Sequence, residues 1–183
     1  MPRFDYLSDP DEIERQSFAQ IRQLTDLSRF DADQQQVAML LVHTSGDPGI
    51  VQDLRFSPHA VAAGLAALTQ GADVLCDIEM VSRGISKRYL KGQVHCFLNA
   101  PEVAERARQT GETRSMAAMA EWPARLSGSI VAIGNAPTAL FRLLDLLDAG
   151  APRPALIIGM PVGFINAAES KQALWEIGPS EFQ

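Results

Sequence analysis

The chain has 183 residues, of which 46% are hydrophobic and 21% charged, and its formal net charge at pH 7 is −6. This length and composition fit one globular domain, and an acidic chain without a basic block argues against a nucleic-acid-binding protein. Without an apolar segment of about 18 residues or a charged start before an apolar core, we expect no membrane span and a cytoplasmic protein.

Two helices are predicted in the first quarter of the chain. Asp9 and Pro10 supply the cap and the first position of a helix in which apolar residues recur at helical spacing, with Ser17 near its middle. Asp31 caps the second helix, Gln34 stands where a capping box needs it, and Gly46 closes the helix. Both helices therefore have start signals that are readable from local sequence.

His43 lies in the last turn of the second helix, and proton chemistry is expected there if the protein is an enzyme. The negative end of a helix dipole stabilises an imidazolium by up to about 2 kcal/mol in favourable, partly buried geometry. That suits a proton donor near neutral pH. The residue type alone leaves a second interpretation open, in which His43 only hydrogen-bonds a free carbonyl at the helix end.

The remaining chain alternates helices with short apolar strands. A third helix begins at Ser57 and Pro58, turns Val61, Leu65 and Leu68 inward, and is stopped by a glycine. The strand, helix, strand order near the end implies a right-handed crossover and parallel pairing. We therefore predict an α/β fold of three layers, with a mostly parallel sheet flanked by helices. The predicted strands are residues 72–78, 94–98, 129–133 and 155–159, and further helices are predicted from Pro101 to Gly111, around Trp122, and over residues 138–149.

The cysteines and histidines do not form a metal-binding or nucleophile pattern. Cys76 and Cys96 each lie inside a predicted strand, which favours buried free thiols in a reducing compartment. His43, His59 and His95 are far apart in sequence and no CxxC or HExxH occurs, so no metal site is predicted. The absence of GxSxG argues against a serine hydrolase.

Two segments could bind an anion. The turn from Gly134 to Thr138 places free N–H groups of a helix N-terminus just beyond a strand. Arg114 stands between Thr113 and Ser115 at another predicted helix start, where its guanidinium fork suits a carboxylate. Each segment has an equally simple structural interpretation, as a tight turn and as a helix cap beside a surface arginine.

Taken together, five ordered segments resemble the precorrin-8X methylmutase family, also named cobalt-precorrin-8 methylmutase, of corrin-ring biosynthesis. The resemblance covers nearly the whole chain. The segments are residues 42–47, residues 75–81 with Gly84, residues 113–115, residues 131–140, and residues 159–164 leading to residues 167–171.

The resemblance implies an isomerase that moves a methyl group from C-11 to C-12 of a contracted tetrapyrrole, giving hydrogenobyrinate or cobyrinate without a cofactor. It implies that His43 is the catalytic proton donor, and that family members are homodimers with the site near the subunit boundary. The acidic arms of such a substrate need anion holders. The substrate-binding residues that we expect are Ser17, Thr44, Arg114, Ser115, Asn135, Ala136 and Thr138.

Two departures from the family pattern bear on activity. Leu40 stands where many relatives have an arginine, three residues before the histidine. The family also usually continues beyond residues 169–171 with a strand, a Gly-rich turn and a helix. We therefore expect residues 1–183 to form a single methylmutase-like domain that lacks the family's last strand and helix.

Three functional hypotheses follow. The first is an active cytoplasmic corrin-pathway isomerase, and the second is a corrinoid-binding protein of the same fold with impaired catalysis. The third is an α/β protein that binds a small phosphorylated ligand at residues 134–138. The sequence does not distinguish a metal-free from a cobalt-containing substrate, because the metal would sit in the macrocycle.

Overall fold

The structure is a computed structural model that describes residue 4 and residues 6–181. The helices are α1 (Pro10–Leu24), α2 (Ala32–Ser45), α3 (Ile50–Asp53), α4 (Ala60–Gln70), α5 (Glu79–Gly84), α6 (Pro101–Thr110), α7 (Arg114–Ala118), α8 (Pro137–Asp148) and α9 (Ala167–Glu181). The strands are β1 (Val74–Cys76), β2 (Val94–His95), β3 (Ile130–Ile133) and β4 (Leu156–Gly159). Short 3₁₀ turns occupy Lys87–Tyr89, Met119–Glu121 and Pro123–Arg125.

The four strands form one parallel sheet in the order β2-β1-β3-β4. One face of the sheet, with Leu75 and Val131, packs against α8 and Trp122. The other face, with Cys76 and Ala132, packs against Ala67 of α4. Helices therefore cover both faces of a parallel sheet, which confirms the predicted α/β fold.

The chain divides into two compact units, Met1–Val61 and Ala62–Gln183. The first unit contains α1, α2 and α3 around a core that includes Phe30 and Val42. The second contains the sheet, most of α4 and the remaining helices. The prediction of one methylmutase-like domain over residues 1–183 stays a prediction. Across the described part of the chain, no helix is long and apolar enough to cross a bilayer.

The local cap signals are confirmed at atomic detail. Asp9 accepts a hydrogen bond from the Glu12 amide at the start of α1. Asp31 and Gln34 form both bonds of the capping box, and Gly46 ends α2 in the left-handed conformation with φ of 68°. Such caps are set by neighbours in sequence, which is why they could be predicted.

The inward face of α4 was predicted incorrectly at Leu65, whereas Leu68 packs against the core as predicted. Leu65 is 55% exposed, whereas Gly64 and Ala67 are buried. A Cβ atom on Gly64 would lie 2.8 Å from a terminal methyl group of the Leu156 side chain, which would have to move to accommodate it. The helix therefore packs through its small residues together with Leu68.

Asp73 makes a polar contact at the amino end of β1. Its carboxylate accepts the Gln93 N–H at 2.9 Å, and the His95 ring nitrogen Nε2 lies 2.8 Å away. The hydrogen bond from the Gln93 N–H lowers the pKa of Asp73 below its usual value, and the contact with His95 lowers it further. A carboxyl group whose pKa is lower in the folded state stabilises the fold at pH values above its unfolded-state pKa of about 4. This stabilisation is lost as the pH falls through the folded-state pKa.

We expect Asp73→Ala to lower the free energy of unfolding at pH 7 by about 1 kcal/mol, a modest loss because the carboxylate is partly exposed. The difference from wild type should shrink as the pH is lowered from about 5 to about 2, because the wild-type carboxylate then loses its charge. Urea unfolding across this pH range measures the effect. A difference in the free energy of unfolding that is the same at all pH values would contradict the lowered pKa of Asp73.

Both cysteines are free thiols, as predicted, with Cys76 buried in β1 and Cys96 half-buried. Burial raises the pKa of the Cys76 thiol to about 12 and also raises that of Cys96. Since the thiolate is the reactive form, we expect Cys76 in a Cys96→Ser variant to resist a disulfide reagent at pH 8 until the protein is unfolded in urea. Rapid labelling of the folded variant would contradict this expectation.

Candidate active site

His43 is exposed in the last turn of α2, directly after the buried Val42. Phe18 of α1 stacks on its imidazole, with ring centroids 5.4 Å apart and planes inclined by 23°. The stacking supports one face of the imidazole, and the exposed part of the ring can reach a ligand. The predicted position of His43 in the last turn of the second helix is confirmed.

A shallow depression of about 190 Å³ adjoins His43 within the first unit. Its wall contains Ser17 of α1 and His43 of α2, so two predicted site residues meet there. A neighbouring depression of about 410 Å³ along α1 shares Ser17 and Gln20 with it. Small-molecule sites usually measure about 300–1,000 Å³, so the His43 depression can hold one edge of a large ligand.

The two hydroxyl groups predicted to bind substrate in this unit both bond to their own helices. Ser17 Oγ donates to the Ile13 carbonyl at 2.7 Å, and Thr44 Oγ1 donates to the Leu40 carbonyl at 2.8 Å. Each oxygen keeps lone pairs that can accept a hydrogen bond from a ligand. Thr44 is exposed next to His43 in sequence, but it does not line the depression.

Arg114 occupies the first position of α7, whose N-cap is Thr113. Its Nη2 atom donates to the Leu98 carbonyl at 2.9 Å and to Asn99 Oδ1 at 3.1 Å. These bonds fix one edge of an exposed guanidinium, and within the described residues no acceptor is bonded to its Nε or Nη1 group. Ser115 follows, half-buried.

The turn before α8 differs from the sequence prediction in how its N–H groups are used. The Asp77 carboxylate accepts the amides of Gly134 at 3.0 Å, Asn135 at 3.0 Å and Ala136 at 2.7 Å. Three of the four N–H groups in residues 134–138 that were expected to hold a substrate anion therefore already have an acceptor. A phosphate at this turn is disfavoured for the same reason, since it would meet a carboxylate of like charge.

A hydroxyl pair joins the two predicted anion-binding segments. Thr113 Oγ1 and Thr138 Oγ1 lie 3.0 Å apart, so the start of α7 contacts the start of α8. The structure thus brings the segment of Arg114 and Ser115 together with the turn of Asn135, Ala136 and Thr138 in the second unit. The turn follows the carboxyl end of β3, the edge at which parallel α/β sheets bind ligands.

Sequence reasoning missed the roles of Phe18 and Asp77. Asp77 follows β1 directly, but its carboxylate binds the turn before α8, a helix that begins 60 positions later, at Pro137. Local spacing carries no signal of such a contact.

Elsewhere, Glu79 pairs with Arg83 at 3.3 Å on α5. Over residues 6–181, no group of three or more His, Cys, Asp or Glu residues could hold a metal ion.

Comparison with known proteins identifies the family. The family model for precorrin-8X methylmutase matches residues 12–181. The chain belongs to this family. A precorrin-8X methylmutase from Pseudomonas aeruginosa is 51% identical over 172 residues, covering 93% of this chain and 83% of that protein. A precorrin-8X methylmutase from Sinorhizobium sp. is 49% identical over 178 residues, covering 96% of this chain and 85% of that protein.

A solved structure supports the same assignment. The precorrin-8X methylmutase from Thermus thermophilus has a TM-score of 0.82 and 40% sequence identity, covering 91% of this chain and 82% of that one. Membership of the methylmutase family makes the chain an isomerase of corrin biosynthesis. The resemblance drawn from the five sequence segments is confirmed at the level of family and enzyme class.

Proposed function

We propose that the chain moves a methyl group from C-11 to C-12 of precorrin-8X or cobalt-precorrin-8, giving hydrogenobyrinate or cobyrinate, with His43 as the proton donor. The observation that carries the proposal is the exposed imidazole at the end of α2, stacked on Phe18 beside a depression that Ser17 also lines. Histidine is the side chain that most often transfers a proton to a reacting group, and an exposed imidazole can reach the substrate.

The reaction balances within one substrate molecule. The bond from the methyl group to C-11 breaks as the bond to C-12 forms, so the shift leaves the oxidation state unchanged and needs no cofactor. His43 places a proton on or near the ring C nitrogen and thereby selects the tautomer that rearranges. Phe18 holds the imidazole plane while this proton is transferred.

The substrate's acetate and propionate arms require donors, and we propose that Arg114 is the main one. Its guanidinium is always charged, and because Leu98 and Asn99 hold Nη2, the Nε and Nη1 N–H groups are pre-oriented to donate to carboxylate oxygens. Ser115, the Asn135 side chain and the Thr138 hydroxyl are proposed to add hydrogen bonds. Ala136 is proposed to contribute only to the shape of the turn, because its N–H already donates to Asp77.

In the first unit, Ser17 and Thr44 are proposed to contact the macrocycle near His43. Each side-chain oxygen already donates its proton to its own helix. These hydroxyl groups are therefore proposed to act as acceptors, for example from a pyrrole N–H group.

We also propose that the chain works as a homodimer in the cytoplasm. Apolar side chains after β4, at Val162, Phe164 and Ile165, are largely exposed, as expected for a surface that a partner covers. The two free thiols fit a reducing compartment. Light scattering coupled to size-exclusion chromatography should give twice the mass of one chain, and a single-chain mass at micromolar concentration would contradict the dimer.

Incubation of the purified protein with metal-free and with cobalt-loaded precursor, followed by visible absorption, tests the activity. The expected result is conversion of at least one precursor to its rearranged product. Conversion of neither, with tight binding of the product, would overturn the proposed activity in favour of the corrinoid-binding alternative. That alternative is motivated by Leu40, which lies 53% exposed one turn before His43 where many relatives have an arginine.

A further inference from the structure

Asp77 is a buried carboxylate that the proposed reaction does not use. It follows β1 directly, is only 4% exposed, and is the acceptor of three consecutive backbone amides from Gly134 to Ala136. Its own N–H donates to the Ala132 carbonyl at 3.4 Å, which continues the β1 and β3 pairing by one residue. The carboxyl group is thereby held at the amino end of α8.

The Asp77 carboxylate provides a hydrogen-bond acceptor that the residues at the start of α8 do not provide. The N-cap residue, Ala136, has no side chain able to cap, and Pro137 at the first helical position has no N–H. Asp77, which follows β1, accepts the N–H of this N-cap residue, and its negative charge lies at the positive end of the helix dipole. The conformation of the turn that precedes α8 therefore depends on one distant side chain.

A series of hydrogen bonds leads from Asp77 to Arg114. The turn held by Asp77 opens α8, where the Thr138 hydroxyl lies 3.0 Å from the Thr113 hydroxyl. Thr113 Oγ1 also accepts the Met116 amide at 3.2 Å and so caps α7, whose first residue is Arg114. A shift of the turn would therefore move both the Asn135 side chain and the helix start that carries the guanidinium.

We propose that Asp77 is a positioning residue for substrate binding, which fixes the turn of residues 134–136 and, through Thr138 and Thr113, the start of α7. This inference rests on the proposed binding role of Arg114 and Asn135. Because Asp77 takes the free amides, the turn offers neutral side chains to the substrate, and Arg114 is left as the charged donor for an acidic arm. His43, in the other unit, keeps its own role.

The test compares Asp77→Ala with Asp73→Ala, a matched control. Both aspartates flank β1 and accept backbone N–H groups, but Asp73 lies at the opposite end of the strand from the turn. For Asp77→Ala we expect the KM for precorrin-8X to rise about tenfold or more, while kcat falls less than about threefold. The pH profile of kcat should stay that of wild type. Asp73→Ala should leave KM within about twofold of wild type.

Formate provides a second measurement, because it can occupy the space left by the carboxylate and accept the same three amides. Adding formate should lower the KM of Asp77→Ala toward the wild-type value and should not change the KM of Asp73→Ala. An unchanged KM in folded Asp77→Ala, or an equal effect of formate on both variants, would overturn the proposal.

Thr113→Val covers the case in which Asp77→Ala does not fold. It leaves Asp77 in place and removes only the hydroxyl that contacts Thr138 and caps α7. We expect its KM to rise about threefold or more, and Thr113→Ser to restore the wild-type KM. A wild-type KM in Thr113→Val overturns the inference. If Arg114→Ala also leaves KM unchanged, the proposed role of Arg114 in substrate binding is rejected as well. If Arg114→Ala raises KM, only the positioning role of Asp77 is rejected.

Discussion

We expect His43→Ala to lower kcat for the methyl shift by about 10²–10⁴-fold, the range that a positioned general acid usually contributes. Because the side chain is exposed and Val42 carries the packing, the fold should survive. Binding of the rearranged product should change by less than about tenfold, since the imidazole is one contact on a large ligand. Single-turnover absorbance measures the rate of the methyl shift. Thermal unfolding with and without the product measures the stability of the fold and the binding of the product.

His59→Ala is the matched control for this experiment. His59 is also an exposed histidine of the first unit, and it lies just before α4 rather than at a helix end. Its replacement should leave kcat and KM at wild-type values. Turnover in His43→Ala comparable to that in His59→Ala would reject His43 as the proton donor.

The second large effect is expected at Arg114. Arg114→Ala should raise the KM for the tetrapyrrole by about 10–100-fold, which corresponds to the loss of one charge-assisted hydrogen bond of about 1.5–3 kcal/mol. The value of kcat should change much less, because the carboxylate arm is bound equally in the ground and transition states. Steady-state kinetics over a wide range of substrate concentration resolves the two parameters.

Two further variants sharpen the Arg114 experiment. Arg114→Lys keeps the charge but loses the planar guanidinium that Leu98 and Asn99 hold in place, so it should recover only part of the lost affinity. Arg108→Ala removes another exposed arginine of the same unit, one that pairs with Glu105 on α6, and should leave KM unchanged. A KM rise in Arg108→Ala as large as that in Arg114→Ala would indicate a general charge effect instead of a specific contact.

The parts of the structure that could be predicted from sequence are those governed by neighbouring residues. The caps at Asp9 and Asp31, the glycine ends at Gly46 and Gly111, and the alternation of strand and helix after residue 129 all follow from local rules. The placement of His43 in the last turn of a helix belongs to this class. Its proposed catalytic role comes from the resemblance to the methylmutase family, because the local pattern also allowed a purely structural histidine.

The features that were missed depend on contacts between distant segments. Leu65 was expected to face inward, but Gly64 lies against Leu156 and Leu65 is exposed. The amides of the turn before α8 were expected to await a ligand, whereas Asp77, more than fifty positions earlier, accepts them. A sequence pattern of period two or 3.6 contains no information on such pairings.

The most direct test of the account is a crystal structure of the protein with its rearranged corrinoid product bound. We predict that an imidazole nitrogen of His43 lies within about 3.2 Å of a ring nitrogen of the macrocycle, or reaches it through one water molecule. A bound macrocycle whose ring C nitrogen meets a different side chain, with His43 beyond hydrogen-bonding reach, would contradict the central claim.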